Sequence, residues 1–572
     1  MVCTITATLG TSVPQRKHAI SVQLPKWKDM VGLGSNDPQT IRSLSNGYPR
    51  SFFHQDVQTV SLQYFFPEKS STNLVLFPDP GSADSCISYM ASSNTHGSNA
   101  VPKQELSILC IEFRDGTESQ CEWPNPQLPL LYAVTFPEAA QPVAASFWRL
   151  TGMGISSRLA EKFLKNIGSM SRKELLTANV NVIPTAQLDY SPVYAHLRQR
   201  IVNMLERATI NPYRSVPIGI SDVFLFPSGM SAIYHVHHML LKWRYSESII
   251  MGFPYEVTLR MVETYGPSFT FFSAATTEEI DSLEQRLESQ DPNGQKVQAI
   301  WCECASNPLL WTSDLERIRR IADKHDIPVV VDDTIGSFAN VDVLDVADVV
   351  VTSLSKTFNG FADVLAGSAV LNPRSSYYHR MKGLFIDSYV NSLYIDDAVQ
   401  LELNSRTFLQ RTAIMNENAD YLVGKIKKLM DSSTANGCSQ DVKHDGELPD
   451  NIVDAIYYPK VSPSKKNYDE RMRCPTDEFQ PGYGCLFTIE FADVKTASSF
   501  FDHLNVYKGP SLGAHVTLAQ PYVQTTFQRQ KKWAASHGLR ETIIRISVGL
   551  EDKRELWKTF QHAFRTAVSG AV

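Results

Sequence analysis

Three things are scarce in this chain, and each scarcity excludes something. No apolar run approaches the roughly 20 residues that a bilayer-spanning helix needs, so no membrane span is expected. No long basic stretch interrupts a sequence of formal net charge −6, which argues against nucleic acid or an anionic membrane as partner. Cysteines number nine in 572 residues, an odd count without disulfide-rich spacing, so free thiols in a reducing, cytoplasmic setting are expected. Residues 1–15 offer neither a charged nor an apolar leader segment, and secretion is not indicated. Metal is not expected either. Cys302 and Cys304 flank Glu303, but the second pair that a zinc site needs is missing, and His235, His237 and His238 read as ordinary helix packing.

The bulk composition, 43% hydrophobic and 20% charged, is that of a globular protein too long for one core. Three units are expected: an N-terminal extension over 1–185, a large domain over 186–400 and a smaller α/β domain over 401–572. Within the extension, the Ser-, Asn- and Gly-rich stretch 70–104 reads as an exposed loop. Residues 151–158 superficially resemble a phosphate loop, yet lack the preceding strand and the lysine, and read as a helix start. From about 190 the chain alternates helices and strands, as a mostly parallel sheet between helices requires. Strands are predicted at 223–226, 249–252, 269–272, 297–302, 327–331, 347–351 and 366–371. A second Ser/Asn/Asp/Gly-rich stretch, 431–450, reads as a surface insertion.

The most informative stretch is 344–368. The apolar run Val349-Val350-Val351 passes into Thr352, Ser353 and Ser355 and then into a single lysine, Lys356. A buried strand thus delivers one amine into a polar pocket, and a lysine amine in its neutral form attacks a carbonyl to form a Schiff base. The neighbouring hydroxyls stand where they can hold a phosphate. Upstream, Val329-Val330-Val331 ends in Asp332 and Asp333. A carbonyl-reactive lysine, a phosphate shelf and a buried acid are the requirements of pyridoxal 5′-phosphate (PLP), the acid keeping the pyridine nitrogen protonated.

Other segments complete the pocket. Phe224-Leu225-Phe226-Pro227-Ser228-Gly229-Met230 is a strand and a tight turn leading into a helix, whose N-terminal amides can face an anion. Asn307, before Pro308, either bonds the cofactor's phenolic oxygen or serves only as a turn. Tyr255 either stacks on the ring or packs in the core. Arg545 interrupts the apolar run Ile543-Ile544-Arg545-Ile546. A buried cation costs several kcal/mol unless paired, so either a ligand carboxylate or a structural salt bridge answers it.

In this order the motifs resemble the Cys/Met-metabolism family of PLP enzymes: Ser228-Gly229-Met230, Asn307-Pro308, Asp332, Ser353-x-Ser355-Lys356, Ser511-Leu512-Gly513 and Arg545-x-Ser547-x-Gly549-x-Glu551. The extension is similar to that of the long fungal cystathionine γ-synthases at 18–25, 47–50 and 147–158. The resemblance implies fold type I (aspartate aminotransferase-like), with a mostly parallel seven-stranded sheet and a homodimer or homotetramer acting on small amino-acid substrates. It further implies that Lys356 and Tyr255 are catalytic and that Asp332 pairs with the pyridinium. Ser228, Gly229, Met230, Asn307, Ser353 and Ser355 complete the cofactor site, and Ser511 and Arg545 take the substrate carboxylate. The implied activity is γ-replacement on an O-acyl-homoserine, with cysteine capturing a vinylglycine-type intermediate. The alternatives are a specialised-metabolism paralogue using another nucleophile, a cystathionine lyase, and a non-catalytic regulatory paralogue. Two departures stand out. The stretch 178–185 has neither residue of the Tyr-x-Arg that family members direct at a neighbour's phosphate, and Asp333 stands where the wider family has Asn.

Overall fold

The computed structural model describes residues 5, 8–46, 53–61, 72–113, 130–166, 170–175, 191–291, 294–435 and 452–569. The segments 47–50 and 178–185, and most of 431–450, lie outside the described residues.

All seven strands predicted between 223 and 371 are present, within two residues of their expected bounds, and they form one sheet. Its order is Val223–Phe226, Gly367–Leu371, Val349–Thr352, Val329–Asp332, Ala299–Glu303, Ser248–Met251, Phe269–Phe272. Every pairing is parallel except the two made by Gly367–Leu371, which is antiparallel to both neighbours. The strands are β-branched and apolar throughout because both faces are covered. Alternate side chains feed two cores: Val329, Val331 and Val350 pack into one, and Val330, Val349 and Val351 into the other. In the central strands Ala299–Glu303, Val329–Asp332 and Val349–Thr352, apolar residues fill both faces and polar ones enter only at the carboxyl ends. The register therefore sets Glu303 opposite Asp332.

The C-terminal region forms a smaller five-stranded sheet in the order Val453–Tyr457, Leu486–Phe491, Ile543–Ser547, Leu518–Pro521, Tyr507–Lys508. It is packed by the helices Val494–His503 and Lys553–Ser569.

The extension contributes a four-stranded antiparallel sheet, Thr72–Phe77, Leu131–Pro137, Ser107–Phe113 and Met170–Leu175. Its helices Pro80–Met90 and Gln141–Thr151 share a core with Phe226, Met230 and Ile233 of the large domain. The outer helices Gln55–Val60 and Ser157–Lys165 cover the opposite face.

Two expectations within the extension are corrected. The stretch 70–104 is not an exposed loop: it holds the strand Thr72–Phe77 and the helix Pro80–Met90. Leu74 to Phe77 form a buried strand, and Ala83, Cys86, Ile87 and Met90 recur at helical spacing on a buried face. Most of its serines and asparagines lie at a cap or off the buried face, as where Ser92 Oγ accepts from Thr95 N at 3.2 Å. Composition alone hid that periodicity. Residues 151–158 are not simply a helix start. One helix ends at Thr151, Gly152 turns left-handed (φ 63°), and the next begins at Ser157 under the Ser156 cap.

Candidate active site

One cavity gathers Ser228, Gly229, Met230, Tyr255, Asn307, Asp332, Ser353, Ser355, Lys356 and Arg545 from six stretches of chain. Each arrives there for a local reason. Lys356 follows the strand Val349–Thr352 in a loop whose carbonyls at Thr357, Phe358 and Asn359 accept from the buried guanidinium of Arg411, at 3.3, 3.1 and 3.2 Å. From the other side, the Ser511-Leu512-Gly513 turn is fastened by Gly513 N donating to Ser547 Oγ at 2.8 Å.

The phosphate end is built from two elements in close approach. Gly229 opens the helix Gly229–Trp243, and a Cβ there would lie 2.7 Å from Ser353 Cβ, so glycine alone lets the turn and the Ser353 loop meet. The first amides of a helix have no intrahelical acceptor and face an anion readily. The three serines are not equivalent. Ser228 Oγ accepts from Ser231 N at 3.0 Å and donates to Gly152 O at 2.9 Å. Ser355 Oγ accepts from Ala366 N at 2.9 Å and donates to Ala366 O at 3.1 Å. Only Ser353, whose own amide donates to Thr334 Oγ1 at 2.8 Å, has a hydroxyl uncommitted to another described residue. Sequence reasoning treated all three alike.

The acidic end lies where two strands finish side by side. Burial raises the carboxyl of Asp332 to about 6, although its Oδ1 accepts from Thr334 N at 2.9 Å. Glu303 is pushed well above the usual carboxylate range by burial and then by the Asp332 charge, and its Oε1 accepts from Tyr255 N at 2.7 Å. Glu303 thereby fixes the backbone of the tyrosine expected to stack. The sequence named it only as a flank to two cysteines. Its readable signal was an acid ending an apolar strand. Asp333 turns away from the cavity: Thr352 Oγ1 donates to its Oδ1 at 2.6 Å, and burial raises it to about 7. Cys302 and Cys304 are buried, and burial pushes both thiols up, which leaves them inert.

Arg545 closes the opposite end. It is 4% exposed and no carboxylate among the described residues pairs with it. Its partners are neutral: Asn307 Oδ1 at 3.0 Å, Ser511 O at 3.4 Å, Gln520 Oε1, and the face of Tyr522 with its ring centre 5.1 Å away. Ser511 Oγ, buried beside it, has no hydrogen-bond partner among the described residues. The salt-bridge alternative weighed for Arg545 thus finds no acid, and an uncompensated guanidinium next to an orphaned hydroxyl suits an incoming carboxylate. Tyr255 and Arg545 also line a second, wider hollow, together with Arg149, Arg260, Gln520 and Tyr522. Arg200, the sort of nearby cation that could replace the missing arginine of Tyr-x-Arg, is engaged by Glu402 at 2.6 Å.

These residues fit PLP. A glycine-lined cradle, an uncommitted hydroxyl, a strand-end acid with a raised pKa that a pyridinium would lower, and a lysine share one cavity. Residues 218–565 match the Cys/Met metabolism PLP-dependent enzymes, and residues 55–156 match the N-terminal domain of fungal trans-sulfuration enzymes. An alanine racemase of Aspergillus violaceofuscus is 38% identical, over 98% of this chain and 96% of that protein. A cystathionine gamma-synthase-like enzyme of Amanita muscaria is 33% identical, with coverage of 98% and 96%. The cystathionine gamma-synthase of Neurospora crassa is 31% identical, with coverage of 98% on both sides. Among solved structures, a cystathionine gamma synthase of Xanthomonas oryzae pv. oryzae superposes with a TM-score of 0.52 at 20% identity, covering 69% of this chain and 93% of that one; the fold is shared.

Proposed function

The chain belongs to the Cys/Met metabolism PLP-dependent enzymes, and on that footing we propose that it catalyses γ-replacement on an O-acyl-L-homoserine. The observation that carries this reading is the place of Arg545, buried, facing no carboxylate, and set where the cofactor cavity meets the wider hollow. A cation so placed takes the α-carboxylate of an amino acid while leaving space beyond for a long side chain and a second reactant.

Bound at Lys356, PLP supplies an electron sink that acidifies the substrate's α-C–H. The protein does the rest. Gly229 N, Met230 N and Ser353 Oγ hold the phosphate, with the backbone of Ser228 setting the turn. Asp332 carries the charge opposite the ring nitrogen. Tyr255, fixed by Glu303, covers the ring. Asn307 accepts from Arg545 through Oδ1, which leaves its amide hydrogens for the phenolic oxygen. Arg545 and Ser511 would hold the α-carboxylate, and Lys356 Nζ, set free when the substrate's own amine takes its place, would take the α-proton and shuttle it. With O-acetyl-homoserine and cysteine the balance is cystathionine plus acetate. A homodimer or homotetramer is proposed on the family pattern.

A second reading comes from the alanine racemase relative. Racemisation needs the same α-proton removal but no bond made at Cγ. One experiment separates the two. The protein with PLP is given O-acetyl-homoserine with cysteine and, separately, L-alanine in heavy water, and products are identified by mass and chirality. Cystathionine and acetate support γ-replacement. Deuterated D-alanine without cystathionine replaces it with racemisation. The same assay with cystathionine as substrate reports a lyase; silence in all arms overturns all three, and repeating it with other nucleophiles then separates a paralogue of different nucleophile from a non-catalytic one.

A further inference from the structure

The connection between the extension helices Gln141–Thr151 and Ser157–Lys165 does more than join them. Gly152 N donates to Trp148 O at 3.0 Å, and Thr151 Oγ1 donates to Phe147 O at 2.9 Å while accepting from Met153 N at 3.3 Å. The turn is therefore fixed from within. Its buried carbonyl, Gly152 O, accepts from Ser228 Oγ, the same oxygen that caps the helix Gly229–Trp243 by accepting from Ser231 N. Donor and acceptor roles of that hydroxyl are both spent, so the Ser228 rotamer, and with it the turn presenting Gly229 N and Met230 N, is set by the extension. The fit leaves no slack: a Cβ on Gly152 would lie 2.1 Å from Ser228 Oγ and 2.9 Å from both Met230 Cβ and Ser231 N. The left-handed φ of 63° adds its own preference for glycine. A few residues on, Arg158 Nη1 donates to Asp363 O at 2.6 Å and to Asp397 Oδ1 at 2.9 Å, so the same segment also holds the loop that follows Lys356.

We propose that the extension is a positioning element for cofactor binding, with Gly152 as the positioning residue that sets the Ser228-Gly229-Met230 phosphate turn. This rests on the reading that this turn and Ser353 receive the phosphate. It gives the extension a task in the cofactor site, although no described residue of the extension lines the cavity itself.

The test compares Gly152→Ala with Gly154→Ala in the full chain. A Cβ at Gly154 would also clash, 2.4 Å from Trp148 Nε1, but within the extension and away from the turn. PLP affinity is read by titrating the visible absorption of the bound cofactor, beside the Tm of each protein. Gly152→Ala is expected to weaken PLP binding by about tenfold or more, as overpacking a tight contact does. Gly154→Ala is expected to lower Tm comparably and leave PLP affinity at the wild-type value. Should Gly152→Ala fail to fold, Thr151→Val removes the bonds that fix the turn without adding a clash and should weaken PLP by a smaller factor. Equal PLP effects from Gly152→Ala and Gly154→Ala, or wild-type affinity in both Gly152→Ala and Thr151→Val, overturn the proposal. Ser353→Ala separates the two layers of inference. If it weakens PLP and the Gly152 and Thr151 variants do not, only the role of the extension falls. If it too leaves PLP affinity unchanged, the phosphate-turn reading has failed and takes this proposal with it.

Discussion

The strand Val329–Asp332 of the seven-stranded sheet and the strand Ile543–Ser547 of the five-stranded sheet both serve the same cavity, but they deliver polar groups differently. In the first, every valine is buried, alternately in one core and the other, and the acid comes only at the end. In the second, Ile544 and Ile546 enter the main core while Arg545 and Ser547 alternate with them on the opposite face, in mid-strand. A strand covered on both faces can offer chemistry only where it stops. A strand with one face toward a cleft can offer it at every second residue. The lysine, acid and serines are of the first kind, and the arginine is of the second.

The sharpest way to break this comparison is to remove the strand-end group expected to do the chemistry. Lys356→Ala should lower turnover by orders of magnitude with PLP in excess, while far-ultraviolet circular dichroism stays native. Borohydride reduction followed by peptide mass mapping should find the cofactor on Lys356 in the wild type; a label on another lysine reassigns the site. The mid-strand group comes next. Arg545→Ala should weaken substrate binding by about 2–5 kcal/mol, the cost of losing one side of a desolvated charge pair, which is roughly 30-fold or more. PLP affinity should change little. An unchanged KM would make Arg545 a structural cation satisfied by Asn307 and Gln520.

Much of this was legible because the large sheet is doubly covered. Continuous apolar runs ending in Asp332 or in Ser353 and Lys356 mark strand ends without any need of tertiary information. Arg545 was legible for the opposite reason, as a charge amid isoleucines. What stayed hidden depends on contacts between distant segments. Glu303 holds Tyr255 N across 48 positions, Gly152 meets Ser228 across 76, and Arg411 reaches the Lys356 loop across more than 50. No local pattern announces such a partner. The misread stretch 70–104 failed for a simpler reason. Serines and asparagines crowd the positions between its buried residues, so composition masked the period.

Smaller substitutions sharpen the comparison within one strand end. Ser353 and Ser355 lie two residues apart in one cavity, yet only the Ser355 hydroxyl is bound on both sides by Ala366. Ser353→Ala should cost PLP a hydrogen bond to a charged group, about 1.5–3 kcal/mol, with Tm of the PLP-free protein unchanged. Ser355→Ala should leave the buried Ala366 amide unsatisfied, at about 1–3 kcal/mol, and so lower that Tm. Absorbance titration and thermal melts on both variants check the split. The reverse assignment would mean that the phosphate recruits Ser355 away from Ala366.

The smallest expected effect concerns the acid that turns away. Asp333 ends the same strand as Asp332 but is 1% exposed, with one oxygen bonded to Thr352 and the other without a partner. Its folded pKa, raised by burial to about 7, lies above the unfolded value of 3.8, so between those limits the folded protein binds the extra proton. Stability from this group is therefore lost as pH rises toward 7, and the penalty is full above it. The buried histidines oppose it in the total. Burial lowers His235 and His237 to about 4 and 3, so their share of stability is lost as pH falls below 6.5. That opposing slope is common to wild type and variant and cancels in their difference. Asp333→Asn keeps the side-chain shape and cannot ionise. Its Tm relative to wild type should therefore climb between pH 5 and pH 8, by ~1–3 °C in a chain of this size. A flat difference over that range would place the ionised Asp333 in an environment that already compensates it, with the nearby Arg473 guanidinium as the first candidate.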